Sequence, residues 1–97
     1  MIPVYEPVII EDDINAVVRA LRRGEISGTF GESISRFEEE FARYCGCRYG
    51  VAVSSGTAAL HLAVAALGIG HGDEVLVSTS TNIATGLAAY HNGSVPV

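Results

Sequence analysis

The chain has 97 residues, a formal net charge of -5, and 48% hydrophobic against 18% charged residues. This composition excludes a disordered chain and is typical of one small, rather apolar globular unit. The six basic residues are all arginines and form no basic block, so we expect no nucleic-acid partner. No uncharged apolar run reaches the ~18 residues of a membrane span, so we expect no membrane partner either.

Residues 1–10 are predicted to be extended, because Pro3 and Pro7 oppose a helix. The segment has no basic region, so it is not typical of a secretory signal peptide, and we expect a cytoplasmic location. Cys45 and Cys47 are too close in sequence to staple two distant elements, which predicts reduced thiols.

Two amphipathic helices are predicted in the first half of the chain. Apolar residues recur at helical spacing from Ile14 to Leu21, and Gly24 is placed to end the first helix. The second helix is predicted to begin near Ser33, with Ser35 and Glu38 at capping-box spacing. Gly46 is predicted to end this helix, and the loop between the two helices is rich in glycine.

The second half of the chain alternates strands with helices. Strands are predicted at 49–53, at 74–77 and from 94 onward, and helices at 58–67 and 83–90. Short links between them favour parallel pairing. The predicted fold class is therefore α/β, a partial parallel sheet with βαβαβ order preceded by two helices. We expect 1–97 to be a single incomplete domain, with an N-terminal part at 1–48 and an α/β part at 49–97.

Two polar turns follow predicted strands, where open α/β sheets bind ligands. The turn at 54–57 runs directly into a helix, and its hydroxyl groups and free N–H groups suit a phosphate. The turn at 78–82 is rich in hydroxyl groups. A simpler interpretation remains open, in which Ser55 and Thr57 only cap the helix.

Several motifs resemble the DegT-type sugar aminotransferases. These are SSGTAALHLA at 54–63 and LGIGHGDEV at 67–75, with IPV at 2–4, ISG at 26–28 and FEEEFA at 37–42 upstream. Together they cover nearly the whole chain. The resemblance implies the start of the large domain of a type I pyridoxal-phosphate (PLP) enzyme, which transfers an amino group from glutamate to a keto-sugar nucleotide. It also implies a sugar linked to a nucleotide as partner.

The resemblance assigns cofactor-binding roles to five residues. The turn that holds the cofactor phosphate corresponds to Gly56 and Thr57, with the Ala58 N–H and Ser55 beside them. Asn82 occupies the position of the residue that lies against the pyridine ring. An amide has no aromatic face, so contact with the ring edge or simple capping of the next helix both stay open. The loop with Ser27, Gly28 and Thr29 corresponds to the substrate side of the site.

The sequence predicts no catalytic residue and no metal site. The chain contains no lysine to bind pyridoxal phosphate as a Schiff base, so we expect a fragment that is inactive alone. His61, His71 and His91 lie on different predicted elements, which favours structural or surface roles. The alternative function is a non-catalytic remnant that folds, self-associates and at most binds phosphate. We expect a homodimer or larger assembly, because an unfinished sheet exposes an edge.

Overall fold

The computed structural model describes residues 2–28 and 30–97. Contacts divide the chain into two compact units, Met1–Gly50 and Val51–Val97. The prediction that both halves belong to one incomplete domain stays a prediction.

The first unit contains two helices, α1 (Glu11–Arg22) and α2 (Ser33–Tyr44), and both were predicted. The start of α1 is acidic, and the Ile10 N–H donates to the Asp13 carboxylate at 3.0 Å, which satisfies a backbone donor at the positive end of the helix. Gly24 follows α1 with φ of 74° and Gly46 follows α2 with φ of 67°. Both glycines therefore end their helices in the left-handed conformation, as predicted.

The predicted capping box at the start of α2 is wrong. Ser35 lies inside the helix, and its hydroxyl donates to the Glu32 carbonyl at 3.1 Å. The helix begins at Ser33, as predicted, and there the Glu25 carboxylate accepts the N–H of Ser33 at 3.3 Å and the hydroxyl of Ser33 as well. A side chain from the preceding loop thus supplies the acceptor that a capping box would supply locally.

One face of α2 is aromatic, and the segment that follows α2 runs back beside the helix. The rings of Phe37 and Phe41 stack with centroids 5.5 Å apart, and Phe41 and Tyr44 stack at 6.4 Å. Gly50 lies so close to α2 that a Cβ there would be 2.6 Å from the Glu38 carbonyl oxygen. A side chain at position 50 would therefore force the returning segment away from the helix.

The second unit consists of α3 (Gly56–Ala66), β1 (Glu74–Val75), α4 (Ala84–His91) and β2 (Val95–Pro96). The two strands pair in parallel, with Glu74 opposite Val95 and Val75 opposite Pro96. The helix α4 connects these strands and also packs against α3. This confirms the α/β class and the parallel pairing around the second predicted helix of this half.

The βαβαβ order is not formed among the described residues, because the second unit has the order αβαβ. Residues 49–53, predicted as the first strand, lie outside regular secondary structure. A β-strand is defined by the ladder of hydrogen bonds that it forms with a neighbouring strand. The only ladder in the described part of the chain joins β1 and β2.

The buried interior is small in both units. Among residues 2–28 and 30–97, the buried apolar residues are Ala42 in the first unit and Ala88 and Ala89 in the second. Ser94 is 4% exposed, and its hydroxyl donates to the Ala89 carbonyl at 2.9 Å, so this buried polar group is satisfied. Leu60 and Leu62 on α3 are 41% and 45% exposed.

Candidate functional site

The turn before α3 is the best-defined candidate site in the second unit. Ser55 has an extended backbone, with φ of -163° and ψ of 163°, and its hydroxyl oxygen accepts the Ala58 N–H at 3.2 Å. This is the geometry of a helix N-cap. Ser55 therefore caps α3, and the turn is already held in its helix-starting conformation.

Two donors at this turn remain available to a ligand. Gly56 and Thr57 occupy the first two positions of α3, where N–H groups have no partner within the helix, and no hydrogen bond of the described residues uses either group. Ser55, Gly56 and Thr57 are all exposed, and a Cβ at Gly56 would meet nothing within 4 Å. The donors, the open space and the positive end of the helix fit a phosphate group. Ala58 differs from the other two because its N–H is already bound by Ser55.

Asn82 lies at the start of α4, where its side-chain oxygen accepts the Ala84 N–H at 3.1 Å. The preceding hydroxyl groups also bind locally, with the Ser80 N–H donating to the Ser78 hydroxyl at 3.2 Å. No hydrogen bond among residues 2–28 and 30–97 joins Asn82 to the turn before α3. The Asn82 side chain therefore satisfies the first N–H of α4 from a position before its N-cap, Ile83, and its contact with a cofactor ring stays a prediction.

The predicted substrate-side loop lies in the first unit. The Ser27 carbonyl accepts the Phe30 N–H at 3.3 Å, which closes a turn. A Cβ at Gly28 would be 3.3 Å from the Ile34 side chain, so the loop backbone passes close to the first turn of α2. Thr29, the third predicted residue of this loop, lies outside the described residues.

Glu25, which no sequence motif indicated, organises the base of this loop. Its carboxylate accepts the Arg23 guanidinium at 2.7 Å and also binds the backbone and hydroxyl of Ser33. The Glu25 side chain is only 8% exposed. The hydrogen bond from Arg23, followed by that from Ser33, lowers the pKa of Glu25 to about 2. An acidic residue directly after the glycine that ends a helix was the available signal for this contact.

No group of three or more histidine, cysteine, aspartate or glutamate side chains is arranged to hold a metal ion in the described part of the chain. Cys45 and Cys47 are free and exposed. None of the helices described is long and apolar enough to cross a membrane.

Comparison with known proteins identifies the family. The family model described as the DegT/DnrJ/EryC1/StrS aminotransferase family matches residues 7–97. The chain belongs to this aminotransferase family. The family predicted from the sequence motifs is thereby confirmed.

Relatives of the chain include aminotransferases of known structure. A GDP-perosamine synthase from Vibrio cholerae is 42% identical over 97 residues, which is 100% of this chain and 26% of that protein. An aminotransferase from Psychrobacter cryohalolentis is 36% identical, with a TM-score of 0.87 over 94% of this chain and 23% of that chain. NtdA from Bacillus subtilis, solved with bound cofactor PMP, is 32% identical, with a TM-score of 0.75 over 92% of this chain and 21% of that chain. The chain thus spans about a quarter of the length of these DegT-family relatives.

Proposed function

We propose that this chain provides the phosphate-binding turn of a type I PLP aminotransferase that acts on keto-sugar nucleotides, with glutamate as amino donor. The observation that carries the proposal is the pair of N–H groups of Gly56 and Thr57 at the exposed start of α3. Membership of the aminotransferase family and the cofactor in the NtdA structure support the choice of PLP. The GDP-perosamine synthase relative supports a nucleotide-linked sugar as substrate.

Each residue of the turn has a separate task in this proposal. The Gly56 and Thr57 N–H groups donate to the phosphate, and the positive end of α3 adds electrostatic attraction. Ser55 contributes by holding the Ala58 N–H and thereby the first turn of the helix. The Thr57 hydroxyl is a further donor. PLP, when bound, supplies the electron sink for amino-group transfer, and these residues fix its position.

Two further predicted contacts belong to the proposal. The Asn82 amide N–H group donates to the edge of the cofactor ring while its oxygen continues to accept the Ala84 N–H. Ser27, Gly28 and Thr29 form the substrate side of the site. The cytoplasmic location expected from the sequence also stays a prediction.

The 97 residues contain no lysine, so we propose that this chain holds PLP by its phosphate alone and transfers no amino group by itself. The second candidate function is a self-associating module without catalysis. It is favoured by exposed apolar side chains in each unit, among them Phe41 on α2 and Leu60 and Leu62 on α3. The two candidates share the phosphate turn and differ in the chemistry that the turn supports.

A titration followed by amide NMR signals tests the proposed phosphate turn. Inorganic phosphate and, separately, PLP are added to the 97-residue chain. We expect the largest shifts at Gly56 and Thr57 with both ligands, because both carry the same phosphate chemistry. Methyl phosphate serves as a control for the phosphate group without the ring. Saturating ligand that leaves the Gly56 and Thr57 signals in place would refute the proposal.

A further inference from the structure

Two histidines that are 30 positions apart in sequence meet where α4 ends. His61 lies on α3, and His91 is the last residue of α4. Their ring centroids are 5.9 Å apart, and the ring planes are inclined by 42°. The two residues lie on separate elements, as predicted, but the packing of α3 on α4 brings their imidazoles together.

Asn92 fixes the two helices at the level of this histidine pair. Its side-chain amide donates to the His61 carbonyl at 3.3 Å and to the Ala88 carbonyl at 2.8 Å. One side chain thus ties the backbone of α3 to the last turn of α4. The two imidazoles therefore extend from a junction that Asn92 holds in place. This reduces the reorganisation needed to bind a shared ligand.

The separation of the rings suits one metal ion between them. A ring nitrogen binds Zn²⁺ at about 2.0–2.1 Å, which puts the ring centroid roughly 3.2 Å from the ion. Two such rings then lie about 5.2–6.4 Å apart as the angle at the ion opens from tetrahedral to linear. The observed 5.9 Å falls within this range. Both histidines are exposed in the chain, so a hydrated ion can reach them.

We propose that His61 and His91 form a two-imidazole site for a divalent transition-metal ion, with water at the remaining positions. Imidazole ligands favour Ni²⁺, Cu²⁺ and Zn²⁺ over Mg²⁺ and Ca²⁺, which prefer oxygen. His71 is not part of the pair. Its ring lies against Gly93, where a Cβ would be 2.7 Å from the imidazole.

Calorimetric titration with Ni²⁺ tests the site. The chain is used without an affinity tag and with the Cys45→Ser and Cys47→Ser substitutions, because these exposed thiols also bind such ions. We expect His61→Gln and His91→Gln each to weaken Ni²⁺ binding by about tenfold or more, since each leaves a single imidazole. His71→Gln is the matched control and should change the affinity by less than about twofold.

A second measurement keeps the proposal testable if a variant does not fold. Paramagnetic broadening by Ni²⁺ in the chain with native histidines should centre on the backbone signals of residues 61 and 91. Broadening centred elsewhere overturns the proposal. Affinity that is unchanged in His61→Gln and His91→Gln, or lost in His71→Gln alone, also overturns it.

Discussion

The hydroxyl of Ser55 accepts the backbone N–H of Ala58 at 3.2 Å, so the turn that we propose for phosphate is held by its own side chain. Because of this contact the Ala58 N–H is already hydrogen-bonded, which leaves the Gly56 and Thr57 N–H groups as the available donors. It also explains how a helix start that is exposed at Ser55, Gly56 and Thr57 keeps a defined conformation. Capping and ligand binding are thus two tasks of one turn.

Replacing Ser55 by alanine should destabilise the second unit. The substitution removes the acceptor of the Ala58 N–H, and loss of an N-cap costs about 1 kcal/mol. Urea unfolding followed by far-UV circular dichroism measures the change. Ser54→Ala is the matched control, because it removes a neighbouring exposed hydroxyl that caps nothing in α3. Equal stability of the two variants would contradict the capping role.

Glu25 should titrate far below an ordinary glutamate. The hydrogen bonds from Arg23 and then Ser33 lower its pKa from 4.5 to about 2 in the folded chain. Because the folded pKa is below the unfolded value, Glu25 stabilises the fold above about pH 4.5, and this contribution is lost as pH falls from there toward 2. The carboxyl carbon signal of Glu25, followed by NMR against pH, measures the folded pKa directly.

Glu25→Gln tests the same pKa shift through its effect on the free energy of unfolding. The variant should unfold at lower urea concentration than the parent near neutral pH, and the difference should shrink toward zero as pH approaches 2. Glu39→Gln, an exposed glutamate of α2, is the control. A pH-independent difference between Glu25→Gln and the parent would contradict the carboxylate's role.

Replacing either of two glycines by alanine should change the free energy of unfolding, with opposite signs at the two positions. Gly50→Ala places a Cβ 2.6 Å from the Glu38 carbonyl oxygen, a backbone atom that cannot swing away, so we expect a loss of about 1–3 kcal/mol. Gly86 lies in α4, and a Cβ there meets nothing within 4 Å. Gly86→Ala should therefore stabilise the chain by about 0.4–1 kcal/mol. Chemical unfolding of both variants tests the pair, and a change of the same sign in both would contradict it.

The chain should self-associate through apolar surface. Phe41 is 53% exposed on the aromatic face of α2, and Leu60 and Leu62 are exposed on α3. Light scattering coupled to gel filtration should show a mass above 10.2 kDa that grows with concentration. Because the contact is apolar, the association should persist at about 1 M salt, where charge interactions are screened. A monomer at micromolar concentration would count against self-association.

The sequence predicted those features that depend on neighbouring residues. Helical spacing located α1 and α2, and Gly24 and Gly46 ended them because a left-handed residue is a local requirement. The Ser35 capping box failed because Glu25, from another segment, supplies the acceptor at Ser33. Residues 49–53 show the same limit, since a strand requires a partner that local pattern does not specify.

The residues singled out for ligand binding also differ in whether the sequence alone could predict their contacts. Ser55 and the helix start could be predicted from the turn itself, because cap and donors lie within four residues. The meeting of His61 with His91 could not, because it depends on how α3 packs on α4. Tertiary contacts of this kind carry no periodic signal in one sequence.

Gly56→Pro separates the donor function of the turn from its structure. Proline is accepted at the first position of a helix, where its missing N–H has no intrahelical partner. The preceding residue must be extended, and Ser55 already is, with φ of -163° and ψ of 163°. The variant should therefore keep α3 but lose one of the two proposed phosphate donors. Because a hydrogen bond to a charged group contributes about 1.5–3 kcal/mol, phosphate affinity should fall by roughly tenfold or more.

The matched comparison for Gly56→Pro is Gly56→Ala, which keeps the N–H and adds a Cβ into open space. Phosphate affinity from NMR titration should be clearly higher for the alanine variant, while circular dichroism should give equal helix content for the two. Equal affinities at equal helicity would mean that the Gly56 N–H does not bind the anion, because the two variants differ chiefly in that donor. Thr57 would then be the sole backbone donor left at the turn, and one donor beside a capped Ala58 is too few to hold a phosphate firmly.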